Sequence, residues 1–282
     1  RLATAAVAPA AVGHLETPWC FELPTSAETP KEAVVEAAAL SLKLNGVVVL
    51  KREAGSPLIP ADVCDECREE ALRTLDGRLT TFEDLTGWDS LLVEFHFNNL
   101  SHRNPRRYDL LLEGSRWDAL AEAADAWTGP ILQAASLQGS LILQGCVVSL
   151  SGSGPQHIHT DGFNEGFVNT FVPLVDVDAS NGPTEFWLGS HRNCSPTVDA
   201  NCDPSVLQSS QPVAPEVPRG SLILFDYRLH HRGLPNVASA PRPVAYITRS
   251  MQGPQEKGDG MNFDSVTLED AAKQTYYAFH TG

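Results

Sequence analysis

Two short stretches of this 282-residue chain concentrate side chains able to hold a metal ion. The first, Gly154 to Gly162 (GPQHIHTDG), sets His159 and Asp161 two residues apart. On an extended backbone alternate side chains leave from the same face, so both can reach one ion. A third ligand has to come from elsewhere, and Leu229 to Asn236 (LHHRGLPN) offers His231 at the end of an expected strand. Two imidazoles and one carboxylate on one side of a metal leave three positions open, the donor set of non-haem Fe(II) oxygenases. A rival set takes His157 in place of Asp161, since alternation turns His157 and His159 the same way.

Arg242 follows His231 by eleven residues and heads the run RPVAYITRSM. A guanidinium there can grip a carboxylate through two parallel hydrogen bonds, a geometry that lysine cannot reproduce. Asn169 and Phe171, in FVNTFVPL, alternate toward one side of their strand and are candidate neighbours of that anion. Phe95, Phe97 and Arg106 fall in FHFNNLSHRNPRR, which reads as an irregular aromatic and polar loop able to touch a substrate.

These residues need a scaffold that brings distant stretches together. From residue 140 onward the chain alternates short β-branched runs with Gly, Pro, Asn and Asp: SLILQGCVVSL, FVNTFVPLVDV, PTEFW, GSLILFDY and RPVAYITRSM. No helix-length apolar pattern separates them, which argues against parallel βαβ units and for a jelly-roll or double-stranded β-helix barrel. Before residue 135 the spacing predicts helices over 31–45, 60–76 and 116–127, the first ended by Asn45-Gly46 and the last by Thr128-Gly129-Pro130, with VVVLK as a strand. The expected fold is mainly β with N-terminal helices. One domain spans residues 1–282, as a mainly helical part (1–135), a barrel core (136–252) and a C-terminal extension (253–282). The long connections Arg192 to Pro212 and Gly253 to Asp264 are candidate covers for the barrel mouth.

Composition narrows the function classes. A formal charge of −15 opposes a phosphate-tracking surface, so nucleic acid is not an expected partner. No run approaches the 18 or so apolar residues of a membrane-spanning helix. Six cysteines in a chain of this size are too sparse for a disulfide scaffold and suit an intracellular setting, with Cys194 and Cys202 the one pair sharing a polar loop. The opening RLATAAVAPAAVG is Ala-rich and without an initiator Met, compatible with a trimmed targeting segment. Cys64 and Cys67 form CxxC, but within an acidic helical pattern and without a second such pair, so the helix outweighs zinc or redox chemistry. GxGxxG, GxxxxGK[ST] and GxSxG are all missing, which removes the signatures of dinucleotide, nucleotide and α/β-hydrolase sites.

The ordered set HxD, then NGPTEFWLGSH, then GSLILFDYRLHHRGLPN, then Arg242 resembles the phytanoyl-CoA dioxygenase family of Fe(II)/2-oxoglutarate oxygenases, over about residues 140–250. The resemblance implies iron on His159, Asp161 and His231 as the catalytic centre, and 2-oxoglutarate on Arg242. Its His-x-Gly-x-x-Asn element selects His231 over His230, because Gly233 and Asn236 fall at the matching offsets. The position of Phe171 matches one that neighbours the co-substrate in family members. Leu188 departs from the family, which commonly has Pro before Gly-Ser-His. The implied activity consumes O2 and 2-oxoglutarate, releases succinate and CO2, hydroxylates a small organic molecule and is supported by ascorbate. Asp161 argues against halogenation, since related halogenases lose this carboxylate. The alternatives are a non-catalytic barrel that binds a ligand or regulates a partner, and hydroxylation of a protein side chain.

Overall fold

In a computed structural model, which describes residues 17–52, 56–87, 89–91, 95–97, 99–193 and 204–252, the β-branched runs become two facing sheets. The larger has nine strands: β1 (Cys20–Leu23), β2 (Val47–Arg52), β3 (Phe95–Phe97), β4 (Leu100–Asn104), β5 (Arg107–Leu111), β6 (Ser140–Ser149), β7 (Phe167–Pro173), β10 (Leu222–Asp226) and β12 (Arg242–Ser250). They lie in the order β1-β2-β10-β7-β12-β6-β5-β4-β3. The smaller sheet orders β11 (His231–Gly233), β8 (Thr184–Trp187) and β9 (Pro212–Val213). Among the described pairs β1 with β2 is parallel and all others are antiparallel.

Alternation along the strands sorts side chains between two cores. Val48 and Leu50 of β2, Leu222 and Leu224 of β10, and Cys146 and Val148 of β6 face the helices α1 (Glu32–Leu44), α2 (Ala61–Thr86) and α3 (Ser115–Ala134). Val47, Val49, Ile223 and Phe225 face the small sheet, where they pack with Phe186 and Leu229. Burying such side chains contributes about 1.5–3 kcal/mol each, which specifies the register that carries the polar inner residues. The fold is therefore mainly β with a few helices, the jelly-roll type expected.

The N-terminal half differs from its sequence reading. α2 runs ten residues past 76, and α3 continues through Pro130 to Ala134. Leu75 and Phe82, and Ile131 and Leu132, are all buried, so tertiary packing overrides the local stop signals. The FHFNNLSHRNPRR segment is no loop: it forms β3 and β4 and turns into β5, adding three strands to the β6 edge of the large sheet. Within the expected loop Arg192 to Pro212, a short helix α4 (Pro204–Ser209) precedes β9. Cys194, Cys202 and the stretch Gly253 to Asp264 lie outside the described residues, as does the Ala-rich opening. No helix among the described residues is long and apolar enough to cross a membrane.

Candidate metal centre

His159 comes from the connection between β6 and β7, and His231 is the first residue of β11. Their backbones form an isolated antiparallel bridge, with His159 N donating to His231 O at 3.0 Å and His231 N to His159 O at 2.8 Å. Asp161 is brought in by its amide, which donates to Tyr227 O at 3.0 Å. Gly162 is required beside it, because a Cβ there would lie 2.6 Å from the Tyr227 ring. Imidazole nitrogens and carboxylate oxygens of His159, Asp161 and His231 then fall within 4.8 Å of one another. Asp161 Oδ1 is 4.0 Å from His159 Nε2 and 3.6 Å from His231 Nε2.

Both imidazoles are set in the tautomer a metal needs. His159 Nδ1 contacts the carbonyl of His157 and His231 Nδ1 that of Leu229, each at 2.9 Å. A carbonyl only accepts, so each Nδ1 carries the proton and each Nε2 turns a lone pair toward Asp161. Outer-shell hydrogen bonds of this kind orient ligating histidines in known metal sites. These donors fit a divalent ion of the facial-triad type. Among the described residues they are the one such cluster of His, Cys, Asp or Glu.

Burial and the adjacent His231 lower the His159 pKa to about 4. The folded value lies below the ordinary 6.5, so the fold favours neutral imidazole; that stability is complete above about pH 6.5 and is lost as pH falls toward 4. His191 and His230, also lowered by burial, add to the same slope. The thermal midpoint of metal-free protein should accordingly drop between pH 6.5 and 4.5, and a flat profile across that window would contradict this account.

The rival ligands are placed elsewhere. His157 is exposed, with its ring centroid 5.4 Å from that of His159, and it is outside the cluster. His230 faces away from the site; its amide donates to Ser190 Oγ at 3.0 Å and its carbonyl accepts from Trp187 N. His191 lies over Gly46, where a Cβ would come within 2.5 Å of its Nδ1, and its Nε2 meets Lys43 O at 3.2 Å, joining the Gly-Ser-His turn to the end of α1. Cys64 and Cys67 are buried against the helices, where burial pushes their thiols up to about 11 and about 12. Thiols so protonated suit core packing and not metal or redox work.

A cavity of about 70 Å³ opens beside the cluster, lined by His159, Asp161 and His231 together with Phe171, Thr184 and Arg242. Asn236 positions the last of these. Its amide donates to Ser149 O and Ala240 O, both at 2.9 Å, and so holds the turn that starts β12. Arg242 is 2 % exposed and gives one hydrogen bond, Nη2 to Ser149 Oγ at 2.8 Å; its Nε and Nη1 have no partner. Burial, with Arg107 close by, lowers its pKa to about 9. Buried cations are ordinarily paired, so a free guanidinium edge on a cavity fits an incoming carboxylate.

Asn169 lies on the Phe171 face of β7, as alternation implied, and there it meets Asp161. Its Nδ2 donates to Asp161 Oδ2 at 2.6 Å, and its Oδ1 accepts from Thr248 Oγ1 at 2.5 Å. The threonine hydroxyl thereby fixes which end of the amide faces the carboxylate, leaving Asp161 Oδ1 turned toward the Nε2 atoms of His159 and His231. Thr248→Val, nearly isosteric, should weaken Fe(II) or Co(II) binding by roughly 10–100-fold, the usual cost of losing an outer-shell partner. Metal titration of the folded variant checks this, and wild-type affinity would remove Asn169 and Thr248 from the site.

Of the expected substrate contacts, the side chains of Phe95 and Phe97 lie outside the described residues. Arg106 is a correction: it sits exposed at a turn with φ of 62°, its Nη1 on Ser151 O at 3.1 Å, outside the cavity. Its neighbour Arg107 lines the cavity instead, together with Asp109. The signal was legible in R-Y-D-L-L, where strand alternation puts Arg107 and Asp109 on the face opposite Tyr108 and Leu110.

The fold is shared with solved enzymes. The epimerase SnoN from nogalamycin biosynthesis matches with a TM-score of 0.59 at 18% identity, over 78% of this chain and 84% of that one. The carbocyclase SnoK from the same biosynthesis matches at 0.56 and 16% identity, over 86% and 97%. EctD from S. alaskensis, solved with 2-oxoglutarate and 5-hydroxyectoine, matches at 0.56 and 18%, over 86% and 88%. A model of the phytanoyl-CoA dioxygenase family covers residues 42–244, from within α1 to the start of β12, and so takes in the three clustered donors and Arg242. With that span and this centre, the chain belongs to the phytanoyl-CoA dioxygenase family of iron- and 2-oxoglutarate-dependent oxygenases.

Proposed function

We propose that the protein hydroxylates a small organic molecule, with iron on His159, Asp161 and His231 and the distal carboxylate of 2-oxoglutarate on Arg242. The observation that carries this reading is the convergence, on one cavity, of two imidazoles with free Nε2 atoms, one carboxylate and one buried guanidinium without a counter-ion. When bound, iron supplies activation of O2 coupled to conversion of 2-oxoglutarate into succinate and CO2, one oxygen atom entering succinate and the other the substrate.

The protein's own part is positioning and exclusion of water. Ser149 accepts from Arg242 and aims its free edge into the cavity, so that a dicarboxylate is anchored at one end and directed toward the three ligands at the other. Holding reactants in register removes much of the entropic barrier to their reaction. Phe171, packed edge-on against Phe225 with centroids 4.8 Å apart, forms an apolar wall that keeps bulk water from the anchored chain. Asp161 supplies the carboxylate ligand and is held by Asn169, so its second oxygen does not swing into the cavity.

SnoN is an epimerase, SnoK a carbocyclase and EctD was solved with 5-hydroxyectoine, all on this fold, so the fold leaves the outcome open. Hydroxylation is the outcome that needs no further group. The test is anaerobic addition of 2-oxoglutarate to Fe(II)-loaded protein, followed by O2 and ascorbate without substrate. A visible absorption change and slow succinate formation are expected. Neither signal above a protein-free control would leave the inert-barrel reading. A metabolite screen then looks for succinate-coupled gain of one oxygen atom.

A further inference from the structure

Arg242 is not the one buried cation on the cavity. Arg107, on β5, is 3 % exposed and lines the same space. Both arginines are in register with Ser149 of β6, one from each side, so the row across three strands reads Arg107, Ser149, Arg242. Two strand spacings put their backbones roughly 10 Å apart, close enough for Arg107 to depress the ionisation of Arg242. Neither guanidinium has an ion pair among the described residues.

The head group of Arg107 is held in place by two main-chain acceptors. Its Nη2 donates to Gly154 O at 3.0 Å and to Leu234 O at 2.9 Å, one carbonyl from each of the two segments that carry the metal ligands. Its Nε and Nη1 have no partner. Gly233 makes room for it: a Cβ there would lie 2.1 Å from Arg107 Nη1 and 2.8 Å from Gln156 Oε1. A guanidinium whose orientation is already fixed, with the N–H groups of Nε and Nη1 unpaired beside a cavity, is preorganised for an anion.

We propose that Arg107 is a second carboxylate subsite and that it binds the acid group of the substrate, so that the substrate class is a small organic acid. This rests on the proposed function above. In that reading both carboxylates of 2-oxoglutarate already have cations, the distal one Arg242 and the one at the 2-oxo end the metal. Arg107 is the cation left over. A carboxylate on it would sit beside the segments of His159 and His231, which brings the remainder of the same molecule next to the metal centre. The planar fork matters here, since lysine could not serve two carbonyls and a carboxylate in one plane.

The test uses Mn(II)-loaded protein saturated with 2-oxoglutarate, without O2. Straight-chain carboxylates from acetate to octanoate, and the matching primary amides, are titrated in turn and followed by calorimetry and ligand-observed NMR. At least one carboxylate should bind ten times or more tighter than its amide, and Arg107→Met should erase the difference. In the same variant 2-oxoglutarate affinity should change less than threefold, against a loss of tenfold or more in Arg242→Met. Equal binding of acids and amides to the wild-type protein, or no binding of either, overturns the proposal without reference to any variant. So does a loss of 2-oxoglutarate affinity in Arg107→Met as large as in Arg242→Met, which would assign Arg107 to the co-substrate. Failure of the wild-type protein to bind 2-oxoglutarate at all would instead remove the underlying functional reading.

Discussion

Asp161→Ala is expected to weaken Fe(II) binding by more than about 100-fold and to abolish turnover, because losing a ligand costs more than the roughly 10–100-fold of losing an outer-shell partner. His159→Ala and His231→Ala should behave alike, since each Nε2 lone pair has its Nδ1 proton already spent on a backbone carbonyl. His230→Ala is the comparison. Its imidazole is outside the cluster, so metal affinity should stay near that of the wild type while stability falls through lost packing. Metal titration by calorimetry separates the two classes, and equal losses in His230→Ala and His231→Ala would refute the ligand assignment. Asp161→Asn is a sharper variant still. It keeps the shape of the side chain, yet it removes the charge and turns the accepting Oδ2 or Oδ1 into a donor, which either opposes Asn169 Nδ2 or faces the metal.

Arg242→Met carries the second large effect. Truncating one partner of a buried, hydrogen-bonded charge pair costs about 2–5 kcal/mol, which corresponds to roughly 30-fold to several-thousand-fold in the affinity for 2-oxoglutarate. The apo protein should not share that loss. Metal-free and without a counter-ion, Arg242 is a buried cation stabilised by one hydrogen bond to Ser149, and replacing it by an apolar side chain of similar length should leave stability unchanged or raise it. Binding measured on the Mn(II)-loaded protein, set beside a thermal melt of the apo form, checks both signs. Unchanged 2-oxoglutarate affinity would sink the anchoring role.

The clustering of His159 with Asp161 was legible because strand alternation is a two-residue rule, which does not depend on what lies across the barrel. His231 was legible only with its flanking Gly233 and Asn236, and in the fold each of these has a physical reason to be there. Gly233 clears space for Arg107, and Asn236 closes the turn into β12. Arg106 was named and Arg107 passed over because a run of polar residues carries no period until one knows that Arg106 occupies a left-handed turn position. Once the turn is placed, Arg107 falls on the inner face and Arg106 in solvent. Asn169 shared a face with Phe171 as alternation required, but its contact is Asp161, a residue on another loop that no pattern within β7 could name.

What the sequence alone determined is the class of chemistry and the fold type: a carboxylate and an imidazole on one extended segment, a second imidazole and a guanidinium downstream, and β-branched runs without crossover helices. Those are local facts, fixed by residue type and a two-residue period. The tertiary structure decided the rest. It set the length of α2 and α3, made the supposed loop at 95–107 into β3, β4 and the start of β5, and placed Arg107 and Arg242 on either side of Ser149. The physical reason is that helix ends, edge strands and paired charges are settled by burial against distant parts of the chain, and the free energy of that burial exceeds the small local preferences that sequence patterns record.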